Sequence, residues 1–304
     1  MEAQQCVQLT STNSSIGLIC ALKKISKFKL MSLIKNFKRS IIKFLKIIGY
    51  KIIKISRDRA NLNRLYPIFF DKIEFPIAFD VGANKGQSII RYKKLNKNSL
   101  IHSFEPVEED YKFLKNKYGS DKSIFLNNFA LGEKDDNKDF YVNKLPGSSS
   151  FYRLTPGTEW IKQRSETHKI KPEDYYLKKQ KTKMTTLDKY CESNSISSID
   201  ILKIDTQGYE DKVLQGAKNF IKDGLIKVIE VEIIFNKIYE KKMSFLDIEK
   251  NLINHGYELL ALQNPGNLLD DYIFQVDAMY FNPKIISQNE REYFYEIFNK
   301  RYKN

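Results

Sequence analysis

The chain has 304 residues, of which 42% are hydrophobic and 29% charged, the balance of an ordinary globular protein with one sizeable core. Its formal net charge is +14, but residues 22–59 hold thirteen Lys or Arg against the single acid Asp58, so this segment alone carries +12. The rest of the chain is nearly neutral. This argues against a nucleic-acid-binding core, because such domains spread basic charge over their working surface.

The three cysteines, Cys6, Cys20 and Cys191, are odd in number and far apart. This spacing indicates neither a disulfide framework nor a CxxC metal site, and we therefore expect a cytoplasmic protein. Residues 1–30 are expected to form a disordered extension, because the first part of the chain is rich in Ser, Thr and Gln without a usable period. Met31 is a second candidate for the start of translation.

A basic amphipathic segment is expected over residues 31–65. Within residues 33–52, apolar residues recur at steps of three and four, which predicts one apolar stripe on a helix with Lys and Arg on the other flank. One interpretation is a helix that lies on the anionic inner face of the membrane, with its stripe in the acyl region. The alternative is a helix packed on the domain with its lysines in solvent, and the sequence leaves both open.

After Pro76, short apolar runs alternate with helical patterns, as in βαβ units on a parallel sheet. The predicted fold is therefore α/β, a doubly wound and mostly parallel sheet over residues 66–285, followed by a charged tail at 286–304. Parallel strands are predicted at residues 77–81, 100–105, 124–129, 199–205 and 227–233, with an antiparallel edge pair at 257–262 and 273–281. The long polar stretch from Phe151 to Lys183 is expected to be a lid or binding loop.

The first predicted strand leads into the segment Asp80-Val81-Gly82-Ala83-Asn84-Lys85-Gly86. Gly82 and Gly86 let the backbone turn tightly into a helix while a ligand approaches closely. This D-x-G-x-x-x-G spacing lacks the third glycine of the dinucleotide fingerprint, and Asp80 would repel a pyrophosphate. The loop favours a cofactor without phosphate that carries a cationic amino-acid group, and a purely structural glycine turn is the alternative.

The second predicted strand ends in His102-Ser103-Phe104-Glu105-Pro106. Glu105 lies about 20 residues beyond the glycine loop, the position of the acid that holds ribose hydroxyls in doubly wound nucleotide sites. Its carboxylate can accept both hydroxyl protons. Together with Gly82 and Gly86, Glu105 therefore predicts a nucleoside-containing cofactor.

Six sequence blocks occur in order: FDVGANKGQS, SFEP, NFALGEKD, TTLD, ILKIDTQGYEDKVLQGA and EVEIIFNKIYE. In this order and spacing the chain resembles the FkbM-type family of S-adenosylmethionine-dependent methyltransferases, across roughly residues 77–262. The resemblance implies the Rossmann-like sheet of class I methyltransferases, with S-adenosylmethionine as the cofactor. It further implies cofactor contacts at Asp80, Gly82, Asn84, Gly86 and Glu105, with Asn128 and Ala130 on the adenine side.

The chain departs from the family pattern after the fourth strand, where many relatives read D-V-E-G and this chain reads Asp205-Thr206-Gln207-Gly208. A glutamine keeps the shape of the side chain and removes its charge. A role that needs a carboxylate at Gln207 is therefore not carried over.

Methyl transfer is an in-line displacement at a sulfonium carbon, so catalysis needs an aligned donor and acceptor and partial removal of a proton from a hydroxyl nucleophile. Asp205, at the end of a central strand, is the candidate beside the methyl group, and Glu210 and Glu230 are the other carboxylates placed near the pocket. For Glu210 and Glu230, electrostatics at a helix end or cleft rim is the alternative. Three acids could also hold a divalent cation, but their spacing matches no recognised metal signature and no metal site is predicted.

The histidines offer one further candidate. His168, in the long polar stretch, is a candidate general base if that loop closes over the acceptor, and a solvated surface histidine otherwise. His102 lies within a predicted strand and His255 beside a glycine turn, and both positions favour structural roles.

The predicted function is transfer of a methyl group from S-adenosylmethionine to a hydroxyl of a sugar, glycan or related small molecule. If the acceptor is a membrane-proximal sugar, the basic segment would hold the enzyme at the membrane close to this acceptor. A catalytically silent scaffold is the alternative, since a fold alone never excludes it. A nucleic-acid methyltransferase is disfavoured because Asp205-Thr206-Gln207-Gly208 is not the N/D-P-P-Y/F block of the amino-methylating enzymes, and an NAD-dependent oxidoreductase is disfavoured by the missing third glycine.

Overall fold

A computed structural model of the chain describes residues 62–70, 73–241, 244–263 and 275–292. The predicted extension at residues 1–30, the predicted helix at 33–52 and most of the predicted charged tail lie outside the described residues, and they stay predictions.

The strands of the described residues are, in chain order, β1 (Ile77–Val81), β2 (Leu100–Phe104), β3 (Ile124–Asn127), β4 (Ala130–Leu131), β5 (Asp136–Asn143), β6 (Tyr176–Thr185), β7 (Ile199–Ile204), β8 (Ile226–Ile234), β9 (Glu258–Gln263) and β10 (Gln275–Phe281). The α-helices are α1 (Tyr66–Phe70), α2 (Gln87–Leu95), α3 (Glu108–Tyr118), α4 (Glu159–His168), α5 (Leu187–Ser193), α6 (Glu210–Gly216), α7 (Lys218–Lys222) and α8 (Phe245–Leu252).

The main sheet joins seven strands in the order β3-β2-β1-β7-β8-β10-β9. Neighbours from β3 to β8 run parallel, whereas β10 is antiparallel to both β8 and β9. The prediction of a doubly wound, mostly parallel sheet with an antiparallel edge is therefore confirmed, with the order of a class I methyltransferase. Predicted and observed strand ends differ by two residues or fewer, and Glu105 and Asp205 lie just past the ends of β2 and β7.

The two faces of the main sheet pack against different helices. Side chains alternate along a strand, so Ala78 of β1 joins the core that α1 and α2 cover, and Phe79 joins the core that α5, α6 and α8 cover. Ile89 and Tyr92 of α2 are fully buried on the first face. Each buried side chain of this size stabilises the fold by about 1.5–3 kcal/mol. The parallel strands are thus covered on both sides, which explains their nearly continuous apolar runs.

A second sheet, in the order β4-β6-β5, corrects the prediction of a lid or binding loop between Phe151 and Lys183. That stretch contains α4, a 3-10 helix at Pro172–Asp174 and most of β6. β6 was missed because its exposed face is rich in lysine, although Lys179 and Lys181 are both paired with Asp139 on β5. Its inner face reaches the core only near its end, and the sequence therefore shows little apolar alternation.

The main-sheet helices are short, and no helix within the described ranges is long and apolar enough to cross a bilayer.

Candidate active site

A cleft of about 1460 Å³ opens at the carboxyl ends of β1, β2 and β7. In doubly wound folds ligands bind at this edge of the sheet, where the loops after neighbouring strands diverge. Residues of β5 and of α4 line the cleft as well, among them Phe140, Val142 and Trp160. The cleft therefore lies between the main sheet, the second sheet and α4.

The glycine loop after β1 is held against two neighbouring strand ends. The backbone N–H groups of Gly82 and Ala83 both donate to the carbonyl oxygen of Phe104, at 3.0 Å. Gly82 has φ +89°, and a Cβ at this position would lie 1.9 Å from the carbonyl oxygen of Asp205. Only glycine fits there, because the loop passes against the backbone that follows β7.

Glu105 ties the end of β2 to this loop. It is 5% exposed and lines the cleft; its Oε2 accepts from the backbone N–H of Asn84 at 2.7 Å and its Oε1 from that of Val107 at 2.8 Å. Burial raises the pKa of Glu105 to about 8 in spite of these two hydrogen bonds. The carboxyl group thus fixes the loop and also faces the space in which a ligand would bind.

The two residues predicted on the adenine side separate in the structure. Ala130 lines the cleft together with Leu131. Asn128 does not line it; its Nδ2 donates to the backbone carbonyl oxygen of Glu105 at 2.9 Å. The side chain of Asn128 thus contacts the backbone of Glu105 and not the cleft, because the chain turns between β3 and β4 and directs this side chain back toward β2.

Asp80 lies beneath the glycine loop and does not itself line the cleft. The residue is fully buried, and neither carboxylate oxygen accepts a hydrogen bond of ordinary geometry from the described residues. Burial raises the pKa of Asp80, outweighing the nearby Lys203 ammonium and Arg91 guanidinium. A buried carboxyl group in this state is a ready partner for a cation or a bridging water.

A row of charged side chains crosses the main sheet under the cleft. Asp80 on β1, Lys203 on β7 and Glu230 on β8 are register partners, and Glu232 on β8 is the register partner of Asp277 on β10. All five side chains lie on the same face of the main sheet, because side chains alternate along each strand. Farther from the carboxyl ends of the parallel strands, this face is apolar. The sheet face therefore changes from an apolar core to a charged floor at its carboxyl edge.

Glu230 lines the cleft, as predicted, but it is paired. Both of its carboxylate oxygens lie 3.3 Å from Nη2 of Arg91 on α2, and the residue is 3% exposed. Burial and the neighbouring Asp277 raise the pKa of Glu230 well above its ordinary value. The Arg91 guanidinium therefore already contacts both oxygens of Glu230, and a bound ligand would have to compete with it.

Asp205 also lines the cleft, immediately after β7. Its Oδ2 accepts from Nζ of Lys203 at 2.9 Å, and its Oδ1 accepts from Nε2 of Gln207 at 2.8 Å. Burial by itself would raise the pKa of Asp205, but the Lys203 ammonium and the hydrogen bonds outweigh burial and lower it. Asp205 is therefore a carboxylate at neutral pH.

Glu210 does not reach the cleft, which corrects its predicted place near the pocket. Its side chain is fully buried and accepts from the backbone N–H groups of Thr206, at 2.8 Å, and Gly208, at 3.0 Å. The carboxyl group thus caps the turn before α6, where several backbone N–H groups lack partners within the helix. Burial raises the pKa of Glu210 to about 7.

Because Glu210 faces this turn, the three predicted acids do not form one cluster. Within the described part of the chain, no group of three or more acidic, histidine or cysteine side chains is arranged to hold a metal ion.

His168 is the last residue of α4 and not part of a loop, and the structure does not place it in the cleft. The side chains of α4 that line the cleft follow one helical stripe: Trp160, Gln163, Arg164 and Thr167. His168 lies beyond the edge of this stripe, and its Nε2 is buried. A role as general base is therefore not supported. His102 is a core residue of β2, as expected, with its Nδ1 2.9 Å from the hydroxyl of Tyr190.

Several side chains that line the cleft near the charged floor were not predicted from the sequence. Glu232 and Asp277 line the cleft, as do Arg91, Lys203 and Gln275. A signal was present for most of them: in Glu230-Val231-Glu232, in Lys203-Ile204-Asp205 and in Gln275-Val276-Asp277 polar or charged residues alternate with apolar ones at one end of a strand, which directs the polar side chains of each pair to one face. Arg91, on α2, carried no such signal.

Comparisons with known proteins identify a family. The family model of the methyltransferase FkbM domain matches residues 80–259, more than half of the chain. The chain is 22% identical over 200 residues to the 2-O-methyltransferase NoeI of Sinorhizobium fredii, a match that covers 66% of this chain and 79% of the relative.

Among solved structures, Aeropyrum pernix fibrillarin with natively bound S-adenosyl-L-methionine aligns with a TM-score of 0.38 at 12% identity, covering 74% of this chain and 75% of that one. Precorrin-6y C5,15-methyltransferase of Geobacter metallireducens aligns with a TM-score of 0.34 at 10% identity, covering 72% and 86%.

The family match, the strand order and the glycine loop with Glu105 at the carboxyl edge of the sheet agree with one another. The chain belongs to the FkbM family of methyltransferases, and S-adenosylmethionine is its methyl donor.

Proposed function

We propose that this methyltransferase transfers the methyl group to a hydroxyl oxygen of a sugar, a glycan or a related small molecule. The observation that carries the proposal is the position of Asp205, a carboxylate that ends β7 in the same cleft as the glycine loop and Glu105. A hydroxyl is a poor nucleophile, and a nearby carboxylate is the group that can orient it and draw on its proton.

The side of the cleft near β1 and β2 fits the donor. Glu105 would accept hydrogen bonds from ribose hydroxyls, and the loop from Gly82 to Gly86 would hold the amino-acid part against the backbone. Ala130 would contact the adenine ring, and Asp80 would attract the donor's positive charge from beneath the loop. When bound, the donor supplies an electrophilic methyl group on a sulfonium.

The side of the cleft near β7, β8 and β10 fits a polyhydroxyl acceptor. Carboxyl groups of Asp205, Glu232 and Asp277 alternate there with the amides of Gln207 and Gln275. Such a floor offers both acceptors and donors of hydrogen bonds. It disfavours an anionic group at the reacting position, because like charges close together in a partly buried site repel strongly.

Two further observations support a sugar-sized acceptor. The cleft of about 1460 Å³ exceeds the usual 300–1000 Å³ of a pocket for a single small ligand, which leaves room for a donor and an acceptor together. The relative NoeI is named as a 2-O-methyltransferase. The volume favours an acceptor of about the size of a sugar, and the relative's name favours an oxygen as the accepting atom.

The test is methyl transfer from isotope-labelled S-adenosylmethionine to matched acceptors, with mass spectrometry of the products. Neutral mono- and oligosaccharides are compared with their 2-deoxy counterparts, with sugar acids and with aliphatic amines. We expect label on oxygen of the neutral sugars and at least tenfold less product with the sugar acids. Label only on amine nitrogen, or on carbon, would contradict the proposal.

On the sequence alone we also propose that residues 33–52 attach the enzyme to anionic membranes. The apolar stripe and the basic flank would contribute together, with each Lys or Arg near the surface adding about 1 kcal/mol. A chain that lacks residues 1–55 should lose cosedimentation with phosphatidylserine vesicles and keep donor binding. Equal cosedimentation of both chains would contradict this proposal.

A further inference from the structure

One side-chain amide joins two carboxyl groups on the floor of the cleft. Nε2 of Gln207 donates to Oδ1 of Asp205 at 2.8 Å and to Oε2 of Glu232 at 2.7 Å. Asp205 follows β7 and Glu232 lies near the end of β8, so the amide connects neighbouring strand ends. Both carboxyl groups line the cleft.

The orientation of this amide is fixed from its other side. Tyr239 is almost fully buried, and its one hydroxyl proton is shared between Oε1 of Gln207, at 2.9 Å, and the backbone carbonyl oxygen of Ser148, at 3.2 Å. The backbone of Gln207 has φ +60°, and its carbonyl oxygen accepts from Oγ of Ser150 at 2.8 Å. A flipped amide would set its carbonyl oxygen against two carboxyl groups. The N–H groups of Gln207 therefore face Asp205 and Glu232.

The two bridged carboxyl groups have unequal surroundings. Asp205 is paired with the Lys203 ammonium at 2.9 Å, whereas Oε1 of Glu232 accepts from the neutral amide of Gln275 at 2.9 Å. The charged groups that face Glu232 are the carboxyl groups of Asp205, Glu210 and Asp277, with Lys203 as the weakest influence, and the Tyr239 phenol lies nearby.

The proton affinities of the pair follow from these neighbours. Burial and then the charge of Asp205 raise the pKa of Glu232 well above its ordinary value, while Lys203 lowers the pKa of Asp205. The two groups titrate as a pair, and the first proton that the pair binds goes to Glu232.

We propose that Glu232, bridged to Asp205 by Gln207, accepts the proton that leaves the acceptor hydroxyl during methyl transfer, with Gln207 as its positioning residue. This inference rests on the proposed function, in which the acceptor is a hydroxyl. The hydroxyl oxygen bonds to the methyl carbon while the bond from that carbon to sulfur breaks, and the electron pair of that bond stays on sulfur. The hydroxyl proton passes to a carboxylate oxygen of Glu232, which releases it to water through the cleft.

Glu232 fits this role better than the other acids of the floor. Glu230 is engaged by Arg91, and it lies two residues farther from the end of β8. Asp205, next to Lys203, has a lowered affinity for protons and fits the orientation of the hydroxyl. A general base has to hold the proton that it receives, and burial raises the pKa of Glu232 whereas the Lys203 ammonium lowers that of Asp205.

The first arm of the test is independent of activity. Carbon-13 NMR of the glutamate carboxyl groups in the full chain should show several groups that titrate well above pH 4.5, those of Glu105, Glu210, Glu230 and Glu232, and Glu232→Gln should remove one of these signals. Glu258→Gln, on the exposed edge strand β9, is the matched control and should leave all of them in place. If Glu232→Gln keeps every signal that titrates well above pH 4.5, the inference is overturned.

The second arm measures the pH dependence of kcat/KM. Glu232→Gln should lower kcat by about 10²–10⁴-fold, leave the Kd of S-adenosylhomocysteine unchanged and abolish the rise of kcat/KM with pH. Gln207→Glu keeps Glu232 and adds a third carboxyl group, so it should move this rise about one unit toward higher pH. This variant tests the inference even if Glu232→Gln fails to fold.

The outcomes separate the inference from the proposed function. Kcat of Glu232→Gln within threefold of the wild type, or an unmoved pH profile in Gln207→Glu, would overturn the role of Glu232 alone. A wild-type chain that methylates only nitrogen or carbon would overturn the proposed function and this inference together.

Discussion

The two sides of the cleft are built in different ways. On the side of β1 and β2, the glycine loop is shaped by backbone contacts, and its main side chain, Glu105, accepts from two backbone N–H groups. On the side of β7, β8 and β10, the floor consists of side chains that hold one another, such as Gln207 between Asp205 and Glu232. The side of β1 and β2, which is built from backbone contacts, suits a cofactor that does not vary. A floor of exchangeable side chains can be altered for another acceptor without disturbing the loop.

The largest effect is expected from Gly82→Ala, which attacks the backbone-built side. A Cβ would lie 1.9 Å from the Asp205 carbonyl oxygen at a φ of +89°, so we expect the free energy of unfolding to fall by about 4 kcal/mol or more. Gly157→Ala is the control: it also has positive φ, +74°, but meets nothing within 4 Å, and should cost only about 1 kcal/mol. Urea unfolding measures the free energy of unfolding of both variants. Equal losses would contradict the close contact between Gly82 and the carbonyl oxygen of Asp205.

The next largest effect is expected from Asp205→Asn on the acceptor side. Removing the charge should lower kcat by about 100-fold, because the acceptor hydroxyl loses a charged partner. The donor Kd, measured by calorimetry, should change less than threefold. A loss of donor binding as large as the loss of kcat would show that the two sides are not separable. Asp136→Asn, at an exposed strand end, serves as the control.

Glu105→Ala should give the converse result. Loss of its carboxyl group removes the expected contacts to ribose and frees the N–H of Asn84, so we expect donor binding to weaken about 10–100-fold. Glu108→Ala, three residues along on the exposed start of α3, should bind the donor normally. Calorimetric titration with S-adenosylhomocysteine compares them. Unchanged affinity in Glu105→Ala would exclude this carboxyl group from the donor site.

The smallest expected effect is the pH dependence that Glu105 gives to stability. Its pKa is about 8 in the folded chain and near 4.5 when unfolded, so the folded state binds more protons between these values. Glu105 therefore contributes stability that is complete below about pH 4.5 and lost as pH rises through 8. Its share is about 1.4 kcal/mol for the step from pH 6 to pH 7.

Glu105→Gln tests this dependence against the remaining buried acids. Urea unfolding at pH 6 and pH 7 should show a smaller decline in the variant, while Glu210, with a pKa of about 7, keeps part of the slope in both chains. An equal decline would mean that Glu105 titrates normally in the folded chain.

The sequence by itself determined the main sheet and the cofactor side of the cleft. The five parallel strands, the antiparallel edge pair, the glycine loop and Glu105 could all be predicted, because each depends on a short pattern: apolar runs of strand length, glycines at fixed spacing, an acid at a strand end. In such patterns the residues that act together are close in the chain, and hydrogen bonding between neighbouring parallel strands brings their ends to one edge of the sheet.

Only the tertiary structure decided the acceptor side. Whether Glu210 faces the cleft or caps its own turn, and whether His168 lies inside or outside the α4 stripe, depends on rotations that the sequence pattern does not specify. The bridge from Gln207 to Glu232 joins residues 25 positions apart, and the second sheet pairs β4 and β5 with residues of a lysine-rich strand that come 33 to 54 positions later. Contacts of this kind follow from strand register and from packing between separate elements, which no local sequence period records.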